Sequence, residues 1–495
     1  MKMQGAPHRE VGVGQAVMLT SSAAMVNMGL LFIETTVAAR LVSTDGYGLY
    51  ILIVALVNFV MMVVDFGQKT AVTQLIARGD GPSRAALVNT TLLFRVGMIA
   101  IASFIVWLPH DVFALLAPGQ DLQPYLSQVP AMILFASVDQ LLFGMLQGFQ
   151  AYRSLAIAQI LRSVLRLALT AVLLGPMHLG VMGLLYSWTL SFATSAVYQY
   201  WALPTEKRVQ FARAPLGELL RFGAPLQVAG CLWFLFTRIQ TFILSAFGGP
   251  SALALFAVAS RIPEALQQVA ESYMAVYFPK MTALLASGRH AQASKMFETS
   301  LRMVSFGAAL LTLVCVLLSS EITEVIFSSR YAASAPAFAV LMIGLHMVLV
   351  VNLMGYTLTA AGHPRRSLTV DVIRTGVVLV TSVALVPVFG FVGAAYARLV
   401  SSYSGTPAVV WLLGRDGPAL RTNVWFKSTA ILLVCAALGA LTEPAGLLAK
   451  VGVAVIFVVL SARLGVISLD DLRLVLPYIP RRPATATVPS LGDTA

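Results

Sequence analysis

Residues 51–64 read ILIVALVNFVMMVV, with Asn58 as the one polar side chain. A strand of a membrane barrel would alternate apolar and polar positions over about ten residues, and this run does not alternate. Together with its apolar flanks it predicts a helix over 47–66, matching the roughly 20 residues a helix needs to cross hydrocarbon. Comparable runs lie at 15–37, 85–108, 127–149, 154–174, 179–200, 223–246, 252–277, 296–319, 334–360, 367–387, 390–411, 425–441 and 445–463. Fourteen such spans would use about 280 residues, and 58% of the 495 residues are hydrophobic. Only 11% are charged, less than half of the roughly 25% usual for a soluble domain. Disorder, a coiled coil and a water-soluble α/β enzyme are excluded. The predicted fold is an all-α polytopic membrane protein of about 14 transmembrane helices.

The loops supply the orientation. Lys2 and Arg9 precede span 1; Lys69, Arg78 and Arg84 follow span 2; Lys207, Arg208, Arg213 and Arg221 follow span 6; Arg365 and Arg366 follow span 10. The intervening loops are poor in base, and those after spans 5, 7 and 11 have no Lys or Arg. Basic loops stay in the cytoplasm, which predicts both termini there and accounts for the net charge of +12 without nucleic acid. Lys450, at the start of span 14, departs from the pattern. Cys231, Cys315 and Cys435 fall within apolar runs, as core residues without metal-site spacing. The first apolar run is expected to be a retained helix, not a signal peptide. Beyond Leu469 a short interfacial helix and a disordered terminus are expected.

An internal repeat organises the spans. RSLAIAQILRSVLRLALTAVLLG from Arg153 resembles RSLTVDVIRTGVVLVTSVALV from Arg366, and Gly180, Gly183 and Tyr186 match Gly390, Gly393 and Tyr396. Spans 5–6 thus match spans 11–12. The predicted organisation is a cytoplasmic N-terminus (1–14), an N-lobe (15–201), a linker (202–221), a C-lobe (222–414), two added helices (415–464) and a cytoplasmic tail (465–495). Chance likeness of apolar helices, or a duplication kept for packing, is the plain alternative. Repeated lobes point to alternating access around a shared cavity.

Charges inside the spans carry the functional reading, because a mid-bilayer charge costs about 2.5–3.5 kcal/mol unless it faces a partner, a cavity or water. Arg95, Arg162, Arg166, Arg238 and Arg398 have no acidic partner on their own helix. Arg162 and Arg166, four apart, share a face. Arg261 with Glu264, and Asp371 with Arg374, are spaced to pair locally. Asp139 and Glu271 complete the clear membrane acids. Glu34 is expected at the interface and Asp65 at the inner end of span 2, while Arg302 and Arg374 can snorkel to the inner interface. Arginine's fixed charge and planar donor fork suit phosphate or carboxylate oxygens. The basic surplus therefore predicts a cationic cavity on Arg95, Arg162, Arg166, Arg238 and Arg398. Asp139, Glu264, Glu271, His346, Asp371 and Arg374 are candidates for coupling or for pairing within it. For His346, a hydrogen-bonded core histidine is at least as good a reading. No phosphate-binding loop, zinc-protease motif or serine elbow appears, so an enzyme, a cofactor and a metal are not expected.

Three stretches resemble one family: DGYGLYILIVALVNFVMMVVDFGQKTAVTQLIAR from Asp45, with Gly46, Tyr50 and Gly67; RFGAPLQVAG from Arg221, with Gly223 and Pro225; and FAVASRIPEALQQVAESYMAVYFPKMTALLASG from Phe256, with Pro279 and Gly288. LTAAGHPRRSL from Leu358 is a weaker fourth. The chain resembles the polysaccharide (O-antigen and exopolysaccharide) flippases of the multidrug/oligosaccharidyl-lipid/polysaccharide exporter superfamily. The family's acidic residue in span 7 is replaced here by the FTRIQTFIL segment with Arg238 and Gln240, and its Tyr near the start of span 8 by Phe256. The resemblance implies a multi-pass protein of the cell inner membrane, acting as a monomer on an undecaprenyl-pyrophosphate-linked oligosaccharide for lipopolysaccharide, capsule or exopolysaccharide synthesis. It further implies a proton or sodium ion, or a polymerase and export machinery, as the source of direction. Three alternatives stay open: a lipid II flippase, a cation-coupled multidrug exporter and a non-transporting membrane scaffold.

Overall fold

A computed structural model describes residues 13–78, 84–107, 122–205, 212–416, 423–441 and 446–467. The expected N-terminal segment before residue 13, part of the linker and the tail from 468 lie outside the described residues. Every regular element described is a helix.

Helix α1 spans Val13–Leu41 and α2 spans Thr44–Asp65. The Ser43 hydroxyl caps α2 by accepting the Gly46 N–H at 3.2 Å, satisfying a donor that the first turn leaves open. The helix stops where Phe66 and Gly67 take positive φ values of 44° and 70°. It resumes as α3 (Gln68–Arg78), so Lys69 and Arg78, expected in a loop, are helical. The Asp65 carboxylate accepts the Lys69 N–H at 3.3 Å and starts that second helix. Next come α4 (Arg84–Trp107), the short α5 (Gln123–Leu126), α6 (Val129–Gly148), α7 (Tyr152–Leu174) and α8 (Gly180–Ala202). Then α9 runs Arg213–Ala286, α10 His290–Leu317 and α11 Ser319–Ile326. After a 3₁₀ turn at Ser329–Ser334 come α12 (Ala335–Ala360), α13 (Pro364–Asp416), α14 (Val424–Leu441) and α15 (Gly446–Arg463).

Among the described residues, 11 helical segments are long and apolar enough to cross a membrane. Predicted span 6, now α8, is not one of them, because Ser187, Ser191, Thr194, Ser195 and Gln199 dilute its apolar run. It packs between α6 and α7 all the same. Two segments, 238–286 and 364–414, are 49 and 51 residues long, each enough for two passes.

The pairs expected as separate spans 7–8 and 11–12 are two helices each, α9 and α13 being run together only because a single non-helical glycine stands between the two halves. Gly249 (φ 71°, ψ −176°) precedes Pro250 in α9, and Gly390 (φ 58°, ψ −137°) interrupts α13. Contacts prove that the chain doubles back. Arg398 donates to Gln240 at 2.8 Å and stands 3.8 Å from Glu264. Those two residues would be about 36 Å apart on a straight helix. Gln240 in turn donates to Ser382 at 3.1 Å and to the Ala394 carbonyl at 2.8 Å, positions about 18 Å apart on a straight α13. Positive φ is what glycine adopts without a Cβ clash, so a one-residue turn serves where a loop was expected.

Packing joins the two halves. One apolar cluster combines Tyr47, Ile53, Ile133 and Leu184 with Val258 and Tyr331; another combines Leu52 with Leu244, Phe338 and Ala394. Phe306, Leu313, Cys435 and Phe457 seat α14 and α15 against α10. Large apolar side chains also cover the outside, among them Phe104, Trp201, Val388 and Leu448. So much exposed apolar surface fits lipid contact and no aqueous surface. The protein is an all-α multi-pass membrane protein.

Candidate functional site

Four of the five arginines with no acidic partner on their own helix find one on another helix. Arg95, fully buried, meets Asp65 at 2.5 Å. Arg162 meets Asp139 at 2.6 Å, and the Gln199 amide donates to the second oxygen of that carboxylate at 2.5 Å. Arg166 donates to the Tyr50 hydroxyl at 2.6 Å and lies 3.3 Å from Glu34. Arg398 has Gln240 and Glu264, with the Phe256 ring 5.0 Å from its guanidinium carbon. Glu34, expected at the interface, is instead buried. In hydrocarbon a charge gains most from a nearby opposite charge, and the partners come from whichever helix packs alongside.

Arg238 differs. It is exposed on a cavity wall and has no ion pair among the described residues. That cavity, of about 360 Å³, lies between α2, α3, α6 and α9, with Asn58, Asp65, Lys69, Gln140, Gln227 and Arg238 on its wall. A second cavity of about 330 Å³ shares Lys69 and Gln140 and adds Asp139, Gln159 and Arg162. The two adjoin through Lys69, whose ammonium stands 5.5 Å from the Phe143 ring centre. Asp65 and Asp139 are each neutralised by an arginine, which leaves Lys69 and Arg238 as the cations offered to a ligand. Lys69 was missed in the sequence because it followed a turn signal; only its return into a helix brings it to the cavity. Arg166 and Arg398 line neither of these cavities. Glu264 borders a separate cavity of about 260 Å³ beside Arg261 and Asn27. Glu271, Asp371 and Arg374 border a fourth. His346 is fully buried, with its Nε2 3.5 Å from the Ser428 hydroxyl, and lines none of the four cavities.

The seam between α2 and α9 is closed at both ends. At one end Arg40 donates to the Ile326 carbonyl at 2.9 Å and to the Val325 carbonyl. Arg330 reciprocates with Val42 at 3.2 Å and the Arg40 carbonyl at 2.5 Å. Ser251 donates to Asp45. Gly48 packs so closely on Pro250 that an added Cβ would sit 1.9 Å from the proline carbonyl oxygen. At the other end, a Cβ on Gly67 would sit 2.2 Å from the Gly223 carbonyl oxygen, and Gln227 donates to the Met62 carbonyl at 2.9 Å. Lys450, the exception to the loop pattern, pairs with Glu321 of α11.

A helical bundle with two adjoining polar cavities between its helices, Lys69 on the wall of both and Arg238 on one, defines a multi-pass membrane protein with a basic pocket in its interior. Residues 13–285 match the family model described as polysaccharide biosynthesis protein, and the chain belongs to that family. It is 27% identical over 164 residues to stage V sporulation protein B of Bacillus subtilis, a match covering 32% of each protein. It is 21% identical over 274 residues to the capsular polysaccharide biosynthesis protein CapF of Staphylococcus aureus, covering 54% of this chain and 69% of that one. The chain thus spans about a third of the first relative's length. Its fold is similar to that of lipid II flippase MurJ in an inward closed conformation, with a TM-score of 0.68 at 13% identity, over 89% of this chain and 98% of that one. The fold is also similar to that of an inward-facing multidrug resistance MATE family transporter, with a TM-score of 0.61 at 16% identity, over 81% of this chain and 98% of that one.

Proposed function

We propose that the protein flips a saccharide carried on an isoprenoid pyrophosphate, such as an undecaprenyl-pyrophosphate-linked oligosaccharide, across the inner membrane by alternating access. The pyrophosphate sits on Arg238 and Lys69, the sugars stay in the polar chamber and the isoprenoid stays in lipid. Sugar hydroxyls would lose their hydrogen bonds in hydrocarbon, so the chamber must replace water while they cross. The observation that carries this reading is the exposed, unpaired Arg238 on the cavity wall, against the paired Arg95, Arg162, Arg166 and Arg398. A proton or sodium gradient, or withdrawal of product by a polymerase, supplies direction.

The same reading takes the doubled α9 and α13 as two passes each and α2 with α3 as one. Fourteen passes result, in two lobes at 15–201 and 222–414 with two helices added, and both termini in the cytoplasm. Support comes from Gly180 and Gly390, matched in the sequence repeat and both at positive φ (53° and 58°). Further support comes from two arginine contacts on matching helix pairs, Arg162 with Asp139 and Arg374 with Asn352. In this frame the end bearing Arg40 and Arg330 is the outer one.

The lipid II reading draws stronger support from the fold than the repeat-unit reading does, since the solved flippase of matching fold is named for lipid II. The family description and CapF favour a polysaccharide precursor. Both substrates carry an anionic pyrophosphate linkage. The test is transport in proteoliposomes, with fluorescent lipid II and a fluorescent undecaprenyl-pyrophosphate glycan run side by side. Movement of either by the wild type, lost in Arg238→Ala and Lys69→Ala, is expected. Transport unchanged in both variants would sink the assignment.

A further inference from the structure

The fourth cavity, about 540 Å³, has none of the residues that line the Lys69 and Arg238 cavity and has a different character. It is walled by α9 beyond its bend, by α12 and by the first half of α13, next to the basic turn that carries His363, Arg365 and Arg366. Its volume is within the 300–1,000 Å³ usual for small-molecule sites.

Besides the hydroxyls of Tyr356, Thr359 and Ser367, the polar side chains on its wall are the amides and charged groups of Gln267, Glu271, Asn352, Asp371 and Arg374. The one guanidinium among them is engaged: Arg374 donates to the Asn352 side-chain amide oxygen Oδ1 at 3.2 Å and lies 3.7 Å from Asp371. Glu271 is exposed and accepts from the Gln268 amide at 3.4 Å. Two carboxylates against one guanidinium make this wall net negative, which repels a pyrophosphate. The wall also carries an aromatic pair, Phe278 and Tyr356, edge to face with centroids 6.0 Å apart. Tyr356 is 38% exposed, so its ring is open to a ligand.

Carboxylates and amides on one wall with an open aromatic ring beside them suit a pyranose. Each carboxylate or amide has two acceptor or donor sites for adjacent hydroxyls, and the ring packs against the apolar C–H face of the sugar. We propose that this cavity is a saccharide subsite, binding neutral or amino-sugar rings through Glu271, Asp371, Asn352 and Tyr356. The subsite rests on the flippase reading above and divides its labour: Lys69 of the N-lobe and Arg238 of the C-lobe hold the anionic linkage, and the fourth cavity, within the C-lobe, holds the sugars. A bare isoprenoid pyrophosphate then engages Lys69 and Arg238 alone, whereas the complete headgroup also engages the wall of the fourth cavity, so binding favours the glycosylated lipid.

The test uses the full chain in nanodiscs and two probes: the lipid-linked saccharide fraction extracted from the source cell's own membranes, and undecaprenyl pyrophosphate without sugar. Binding is followed by native mass spectrometry for the wild type and for Tyr356→Ala, Glu271→Gln, Tyr356→Phe and Arg238→Ala. Tyr356→Ala and Glu271→Gln are expected to weaken the saccharide-bearing lipid at least about tenfold and to leave the bare lipid within about twofold. Tyr356→Phe, which keeps the ring, should bind as wild type, and Arg238→Ala should lose both probes. Both altered wall residues are exposed, so unchanged thermal unfolding is expected and separates binding from misfolding. Equal loss of the two probes, no loss of either, or a change confined to sodium or proton dependence would each overturn the subsite. A wild type that binds neither probe overturns the flippase reading itself.

Discussion

The reciprocal arginine contacts around Arg40 and Arg330 should hold the protein in its present conformation. Four hydrogen bonds from two guanidinium groups tie the end of α1 and Val42 just after it to the end of α11 and the 3₁₀ turn, across 285 to 290 residues of sequence. A hydrogen bond to a charged group contributes about 1.5–3 kcal/mol when shielded from water. These are largely exposed, and exposed charge contacts fall to about 1 kcal/mol or less each. The set therefore favours the closed end by about 2–4 kcal/mol. At 1.4 kcal/mol per tenfold, the Arg40→Ala/Arg330→Ala double variant should shift the closed-to-open ratio about 30- to 700-fold toward open. The assay is pulsed electron spin resonance between spin labels at Leu41→Cys and Val325→Cys, both exposed positions. The background must first lose the free cysteines Cys231, Cys315 and Cys435. A longer distance population should appear in the double variant. A distribution identical to that of the parent would refute the reasoning, since the contacts would then carry no conformational energy.

Three further outcomes are expected. Arg162→Ala strands Asp139 as an uncompensated buried carboxylate and should cost about 3–5 kcal/mol, read as a lower unfolding midpoint in detergent; adding Asp139→Asn should recover part of it. Gly67→Ala places a Cβ 2.2 Å from the Gly223 carbonyl oxygen at a residue with φ 70°, so spin labels across that end should report separation, or folded yield should fall. The Lys450 contact holds the Glu321 carboxyl below its usual value of 4.5. A depressed carboxyl stabilises above its unfolded pKa and loses that contribution as pH falls through the folded one. The tie between α11 and α15 should therefore hold at neutral pH and weaken below about pH 4.5, and Glu321→Gln should remove that pH dependence of unfolding.

The membrane-protein class, most helix positions and the family were legible in the sequence because each depends on local properties. Apolar length sets a span, Gly and Pro set its ends, and degenerate family patterns survive on single helices. The separation of α9 and α13 into two helices each was legible, but the tightness of the turn was not: a lone glycine at positive φ and a short loop both break an apolar run in the same way. The paired state of the arginines was not legible either. Arg95 takes Asp65 from α2, Arg162 takes Asp139 from α6, and Arg166 takes Glu34 from α1, 132 residues earlier in the chain. Sequence fixes which charges must be compensated, through the cost of leaving them bare in hydrocarbon. Which helix compensates them is decided only when the helices pack, because an ion pair depends on a few ångströms of separation that no local pattern encodes. Among the described residues, tertiary packing thereby leaves Arg238 as the one of those five arginines without an ion pair, and adds Lys69 to the wall of the same cavity.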